Sequence, residues 1–129
     1  MRITAAAWTE RNRAYIVQAL TTATLADIED QTRNGAQLFE VQDDEGEAVA
    51  AFVLRCDRLA CRNVGVVVAA GGSLPGVDLT AAIMPYIERM FVGVDAIAVH
   101  TARPGLQRKL APQGFRIKEI ILEKEVGHG

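Results

Sequence analysis

The period of the hydrophobic positions changes several times along this chain, and each change marks an element. Thr9 has N-cap chemistry, and the residues after it predict a helix over Glu10–Leu20. Thr21-Thr22-Ala23 breaks that helix. Thr24 and Asp27 stand at capping-box spacing, with Asp in place of the longer Glu. They open a second helix over Leu25–Asn34, which Gly35 stops in the left-handed conformation. Gln37–Gln42 is strand-like, and Asp43-Asp44-Glu45-Gly46 is turn chemistry. Glu47–Arg55, carrying Val49, Phe52, Val53 and Leu54, is the return strand. Asp57-Arg58 offers the next turn, and Leu59–Ala70 the next strand. Its end, Val64–Ala70, is apolar on both faces and so belongs inside a sheet.

Gly71-Gly72-Ser73-Leu74-Pro75-Gly76 ends that strand, and Asp78 caps the helix that follows. Leu79, Ala82, Ile83, Tyr86, Ile87 and Met90 share one helical stripe. Pro85 removes the bond to Ala81, which predicts a kink there or a regular helix beginning nearer Met84. Gly93 closes the helix. Val94–Val99 reads as a buried strand, Pro104 opens a short helix to about Ala111, and Phe115–Val126 is a two-faced final strand. Hairpins come first and βα units later, which predicts an α+β fold with a mixed α/β sheet, a single domain over residues 1–129.

Composition narrows the function. Half of the 129 residues (50%) are hydrophobic but only 5% are aromatic, so the core is built from Ala, Val, Ile and Leu. Fourteen Lys and Arg against sixteen Asp and Glu give a net charge of -2. A nucleic-acid partner calls for a basic excess and stacking aromatics, and neither is present. No apolar run approaches the roughly 18 residues of a membrane span. Charge is unevenly placed: Glu40–Glu47 holds five acids and no base, and Arg103–Lys118 five bases and no acid. The first is a solvated turn. The second is a solvated helix and strand, or a basic rim for an anionic ligand.

Cys56 and Cys61 are too few for a disulfide scaffold or a four-ligand zinc site, and His100 and His128 form no metal motif with them. The residues Met1–Trp8 lack the apolar core of a signal peptide, so the expected location is cytoplasmic.

A strand running into a glycine-bearing loop that opens a helix is a generic anion site, because free N–H groups and the helix dipole converge there. Gly71, Gly72 and Gly76 have neither P-loop nor dinucleotide-fingerprint spacing. A tight turn without a ligand explains the same residues.

The segment Leu106-Gln107-Arg108-Lys109-Leu110-Ala111-Pro112-Gln113-Gly114-Phe115, followed by an alternating strand, resembles the close of the GNAT superfamily of N-acetyltransferases. The order of elements is similar along nearly the whole chain. The resemblance implies the GNAT-like acyl-CoA N-acyltransferase fold. It implies acetyl-CoA held where Val64–Ala70 and Val94–Val99 splay apart, with the pantetheine arm along Val67, Val68 and Ala69. The pyrophosphate would lie on Gly71, Gly72, Ser73, Gly76 and Val77, with Arg103 and Arg108 facing the CoA phosphates.

Two positions depart from the family pattern. The loop lacks Gln or Arg at its head and carries an acid, Asp78, where pyrophosphate would arrive. The tyrosine that often lies four residues before the glycine of Gly-Phe, and protonates the leaving thiolate, is Leu110 here; Tyr86 belongs to the apolar stripe. Direct attack of an amine on a thioester needs a base, a polarising N–H and an acid. His100, at the end of a strand and the only histidine in the body of the domain, is the candidate catalytic residue, with Glu40 and Glu47 as other possible bases. Ser73 has no nucleophile context, and His128 sits in the tail.

Three readings follow. One is an acetyl-CoA-dependent N-acetyltransferase acting on a small-molecule or protein amine. Another is a catalytically degenerate GNAT-like binding or assembly module; short GNAT-like proteins also occur in bacteriophage genomes, and this chain resembles them in size. The last is an unrelated α+β domain. A homodimer through the final strand is open if that strand presents a free edge.

Overall fold

The computed structural model describes residues 1–20, 23–101 and 103–127; the Thr21-Thr22 break and His128 lie outside the described residues. The elements are β1 (Arg2–Ala5), α1 (Glu10–Val17), α2 (Leu25–Arg33), β2 (Gln37–Gln42), β3 (Ala48–Arg58), β4 (Asn63–Gly72), α3 (Leu79–Met90), β5 (Ala96–Val99) and α4 (Pro104–Leu110), with a 3-10 turn over Ala111–Gln113. The strands form one sheet in chain order. The first three pairings are antiparallel, and β4 with β5 is parallel. The mixed sheet expected from the sequence is present.

Both early helices carry the caps that the sequence shows. Thr9 Oγ1 accepts from the Asn12 amide at 3.1 Å, and Asn12 Oδ1 accepts from the Thr9 amide at 2.7 Å. Asn12 is fully buried, and its Nδ2 donates to the Ala7 carbonyl at 2.9 Å, so its amide group is satisfied at both ends. Thr24 and Asp27 make the same reciprocal pair, and the Thr24 amide and hydroxyl hold the Asp27 carboxyl below its ordinary pKa. Gly35 sits at φ +108 after α2, as a helix stop requires.

The sheet separates two cores because successive side chains alternate faces. Phe39, Val41, Phe52, Leu54 and Val67 face Met84 and Ile87 of α3 and Leu110 of α4. Leu38, Ala51, Val53 and Ala69 face Ile16 of α1 and Ile28 of α2. Phe39 and Phe52 stack at 5.2 Å, and the Tyr86 ring meets both edge-on. Tyr86 is therefore a packing residue, as its place in the apolar stripe predicts.

Several boundaries differ from the expectation. β1 carries no turn signal or long alternation, and only its pairing to β2, from Arg2 with Gln42 to Ala5 with Phe39, makes it a strand. The first helix stops at Val17, where Ala19 and Leu20 close tighter i→i−3 bonds. β3 runs through Asp57-Arg58, and the turn is at Leu59–Arg62, closed by a 2.8 Å bond. Gly71 and Gly72 belong to β4, paired with Ala51 and Ala50, not to the loop. α3 continues through Pro85, which lies on its exposed side. The strand expected over Phe115–Val126 is absent. After Gly114 (φ +92) Phe115 is half-buried against the α3 and α4 core, with its amide donating to the Leu110 carbonyl at 3.3 Å, and residues 116–127 are irregular and exposed, with no strand beside them to take their backbone groups.

Candidate functional site

The site begins with a slip in the ladder. Val53 faces Ala69 and Leu54 faces Val67, so Val68 has no partner across β3 and bulges. On the other side of β4, pairing with β5 ends at Val67 with Val99. One further bond runs from the His100 amide to the Val67 carbonyl at 3.2 Å. Past this point the parallel strands part. The bulge and the end of pairing coincide, so β4 turns away from β5 where its backbone becomes free.

The parting opens a cleft of about 540 Å³. Its walls are Leu79, Ile83, Met84 and Ile87 of α3, and Leu106 and Leu110 of α4; Phe52 and Val67 lie at the sheet side. Its polar groups are few: Ser73, Thr80, Arg103 and Lys109. No carboxylate and no imidazole is among the residues that line it. Arg103 crosses the opening, with Nη2 donating to the Ala70 carbonyl at 3.0 Å.

The glycines have separate roles. A Cβ on Gly71 would collide with the Tyr15 carbonyl, so Gly71 lets the end of α1 lie on β4. A Cβ on Gly72 (φ +119) would collide with the backbone of Val49 and Ala50. Neither position is explained by a ligand's need for space. Gly76 (φ +78) is the third residue of a turn in which the Val77 amide bonds to the Leu74 carbonyl at 3.0 Å, with Pro75 before it. Pro at the second position and a positive-φ Gly at the third fit a type II turn. The space around Gly76 is open.

The loop delivers Asp78 to the N-terminus of α3, where its Oδ1 accepts from the Ala81 amide at 3.3 Å. Lys109 Nζ lies 3.7 Å from the same oxygen. The carboxylate is thus a cap, and it meets the positive end of the helix dipole that would otherwise face an incoming anion.

Of the residues singled out from the sequence, Val67, Gly71, Gly72, Ser73, Val77 and Arg103 line the cleft. Val68 and Ala69 contribute backbone nearby, but their side chains pack on the α1 and α2 side. Gly76 is at the turn, and Arg108 is exposed on α4. His100 is exposed directly after Val99, a cleft residue, and is itself outside the lining. Glu40 accepts from Gln42, and Glu47 pairs with Arg11 at 2.7 Å; neither lines the cleft. Thr80 and Lys109 also line the cleft, and no motif in the sequence marks Thr80. The basic run gave a signal for Lys109, but only the α4 fold turns it toward Asp78. Among the described residues no cluster of His, Cys, Asp and Glu is placed to hold a metal, and no helix is long and apolar enough to cross a membrane.

No family model and no curated protein matches the sequence. Solved structures do match the fold. The aminoglycoside antibiotic 6'-N-acetyltransferase of Acinetobacter baumannii superposes with a TM-score of 0.66 at 10% identity, covering 99% of each chain. That of Acinetobacter haemolyticus gives 0.62 at 14% identity over 100% of both chains. A GNAT family acetyltransferase of Staphylococcus aureus gives 0.56 at 8% identity, over 98% of this chain and 100% of that one. The chain has the GNAT acetyltransferase fold.

Proposed function

We propose that this GNAT-fold chain binds acetyl-CoA in the cleft between β4 and β5 and transfers the acetyl group to an amine. The observation that carries the reading is the parting of the two parallel strands at the Val68 bulge, opening into an apolar cleft with cations at its rim. The residues present fit the cofactor in kind. The backbone of Val67, Val68 and Ala69 offers a strand edge for the amides of the pantetheine arm. Ser73, Val77 and the turn at Gly76 are the groups assigned to the phosphates, with Arg103 in the cleft; Arg108, exposed on α4 outside the lining, is the second cation assigned to them. Gly71 and Gly72 act by letting β4 keep its course.

When bound, acetyl-CoA supplies the acetyl group as an activated thioester. The chain's part is to orient it, exclude water with the walls of α3 and α4, and manage protons. His100, directly after the cleft residue Val99, is the residue assigned to take the proton of an incoming amine. The position where the fold often keeps a tyrosine is Leu110, which is buried and cannot protonate a thiolate. The acceptor is a small-molecule or protein amine. A cytoplasmic setting suits acetyl-CoA and the two exposed free thiols, Cys56 and Cys61.

Leu110 and the lack of a carboxylate or imidazole in the lining favour a second reading, in which the same cleft binds CoA without turnover. One series of measurements separates the two. Acetyl-CoA is expected to raise the melting temperature with concentration, as any ligand of the native state must. Absence of a shift at saturating concentration overturns both readings. Where it binds, release of free CoA is followed with a panel of primary amines. Turnover that His100→Ala abolishes without weakening acetyl-CoA binding supports transfer. Binding without turnover on any amine supports the second reading.

A further inference from the structure

Among the described residues two cations line the cleft, Arg103 and Lys109, and the chain holds them differently. Lys109 lies against a carboxylate, with Nζ 3.7 Å from Asp78 Oδ1. Arg103 is held by a neutral group. Its Nη2 donates to the Ala70 carbonyl at 3.0 Å, its only side-chain hydrogen bond among the described residues. We infer that Arg103 is a latch on the edge of β4, which a phosphate of the ligand draws off the Ala70 carbonyl. The cleft then selects acyl thioesters that carry phosphate over the same acyl arm without it; this rests on the cleft being the acetyl-CoA site proposed above.

The ladder shows what that carbonyl is for. The Ser73 amide donates to the Val49 carbonyl at 3.1 Å, one step beyond the pairing of Ala50 with Gly72. Bonded and non-bonded pairs alternate along an antiparallel ladder. Ala51 with Gly71 is therefore a bonded pair, and Phe52 with Ala70 is not. The Ala70 amide and carbonyl point away from β3, into the gap beyond the last pairing with β5 at Val67 and Val99. They are groups that β4 offers to an extended ligand laid along its edge. With Arg103 in place, a pantetheine arm meets a carbonyl already bonded and a guanidinium across its path.

Charge and helix geometry let the latch open. A phosphate offers the guanidinium two oxygens and the opposite charge, which a backbone carbonyl does not. Arg103 is exposed at the N-cap of α4, and its side chain makes no cap bond. Pro104 at the first helical position sets the start of α4 without it. Moving the side chain therefore leaves the helix intact. Lys109 lacks this freedom, because its departure would leave the Asp78 carboxylate bare beside the incoming anion. An arginine that only attracts phosphate leaves a phosphate-free arm unaffected. A latch hinders it, so the two roles differ in the sign of one measurement.

That measurement is calorimetric titration of the wild type and Arg103→Met with acetyl-CoA and with S-acetyl-pantetheine, which has the thioester and the arm but no phosphate. Arg103→Met is expected to bind S-acetyl-pantetheine about tenfold more tightly than the wild type, the scale set by one hydrogen bond from a charged group. Its preference for acetyl-CoA over S-acetyl-pantetheine is expected to fall. At constant ionic strength, inorganic pyrophosphate is expected to tighten S-acetyl-pantetheine binding to the wild type and to leave Arg103→Met unchanged, since two ligands that favour one state help each other. Unchanged or weaker S-acetyl-pantetheine binding by Arg103→Met overturns the latch and leaves Arg103 a phosphate contact or a packing residue. Pyrophosphate without effect on the wild type overturns it as well, and that titration needs no variant to fold. If neither protein binds acetyl-CoA, the acetyl-CoA reading of the cleft falls and takes the latch with it. If acetyl-CoA binds and S-acetyl-pantetheine gains nothing, the latch alone falls.

Discussion

Gly71 and Gly76 look alike in the sequence and differ in what surrounds them. Gly71 lies against the Tyr15 carbonyl, whereas Gly76 has positive φ and open space. Gly71→Ala forces helix backbone away from the sheet and is expected to cost about 3 kcal/mol, the upper part of the overpacking range. Gly76→Ala meets no atom and costs about 1 kcal/mol, the penalty for a left-handed side-chain-bearing residue. Urea denaturation of the two variants gives the comparison, and equal losses would mean that α1 yields easily. The spacing of the glycines showed a break in the pattern. It could not show whether a helix or a ligand fills the space that a missing Cβ leaves. The residue caps were different: Thr9, Thr24 and Asp78 were all legible, because a cap is decided within four residues.

At the scale of elements, α3 meets the cleft through a terminus already held by a carboxylate. Asn caps a helix about as well as Asp, so Asp78→Asn keeps the bond to Ala81 and removes only the charge. Acetyl-CoA is then expected to bind a few-fold more tightly, in line with the roughly 0.3–1 kcal/mol of a charge at an exposed helix end. The gain should shrink as salt is added. Calorimetry decides it, and weaker binding would show that the Asp78–Lys109 pair helps to hold the ligand. Elements that pair locally were readable from the chain, as with the β2–β3 hairpin, whose Asp43 carboxylate accepts from the Glu45 and Glu47 amides in the turn. β1 was not, since a four-residue strand is defined by a partner some 40 positions away. The late segment shows the reverse: its alternation is plain, but alternation states which faces are apolar and not which edge completes the strand.

At the scale of the whole molecule, the mixed sheet and the parting of β4 from β5 follow from an order of elements that the sequence displays. The bulge at Val68 does not, because a run of three valines reads the same with or without a register slip. The sheet that positions the cleft also divides the interior. Ile28 belongs to the cluster under α1 and α2, Ile87 to the cluster behind the cleft, and no buried residue is shared between the two. Ile28→Val and Ile87→Val are each expected to cost about 1 kcal/mol. Their double variant should match the sum to within about 0.5 kcal/mol. A larger departure, measured by denaturation of all four proteins, would show that strain passes through the sheet. Additivity would give the fold a particular freedom to change. Substitutions that reshape the cleft wall could accumulate without drawing on the packing of the opposite face. Recognition and foldedness would then drift under separate selection, meeting chiefly where Tyr15 rests on Gly71.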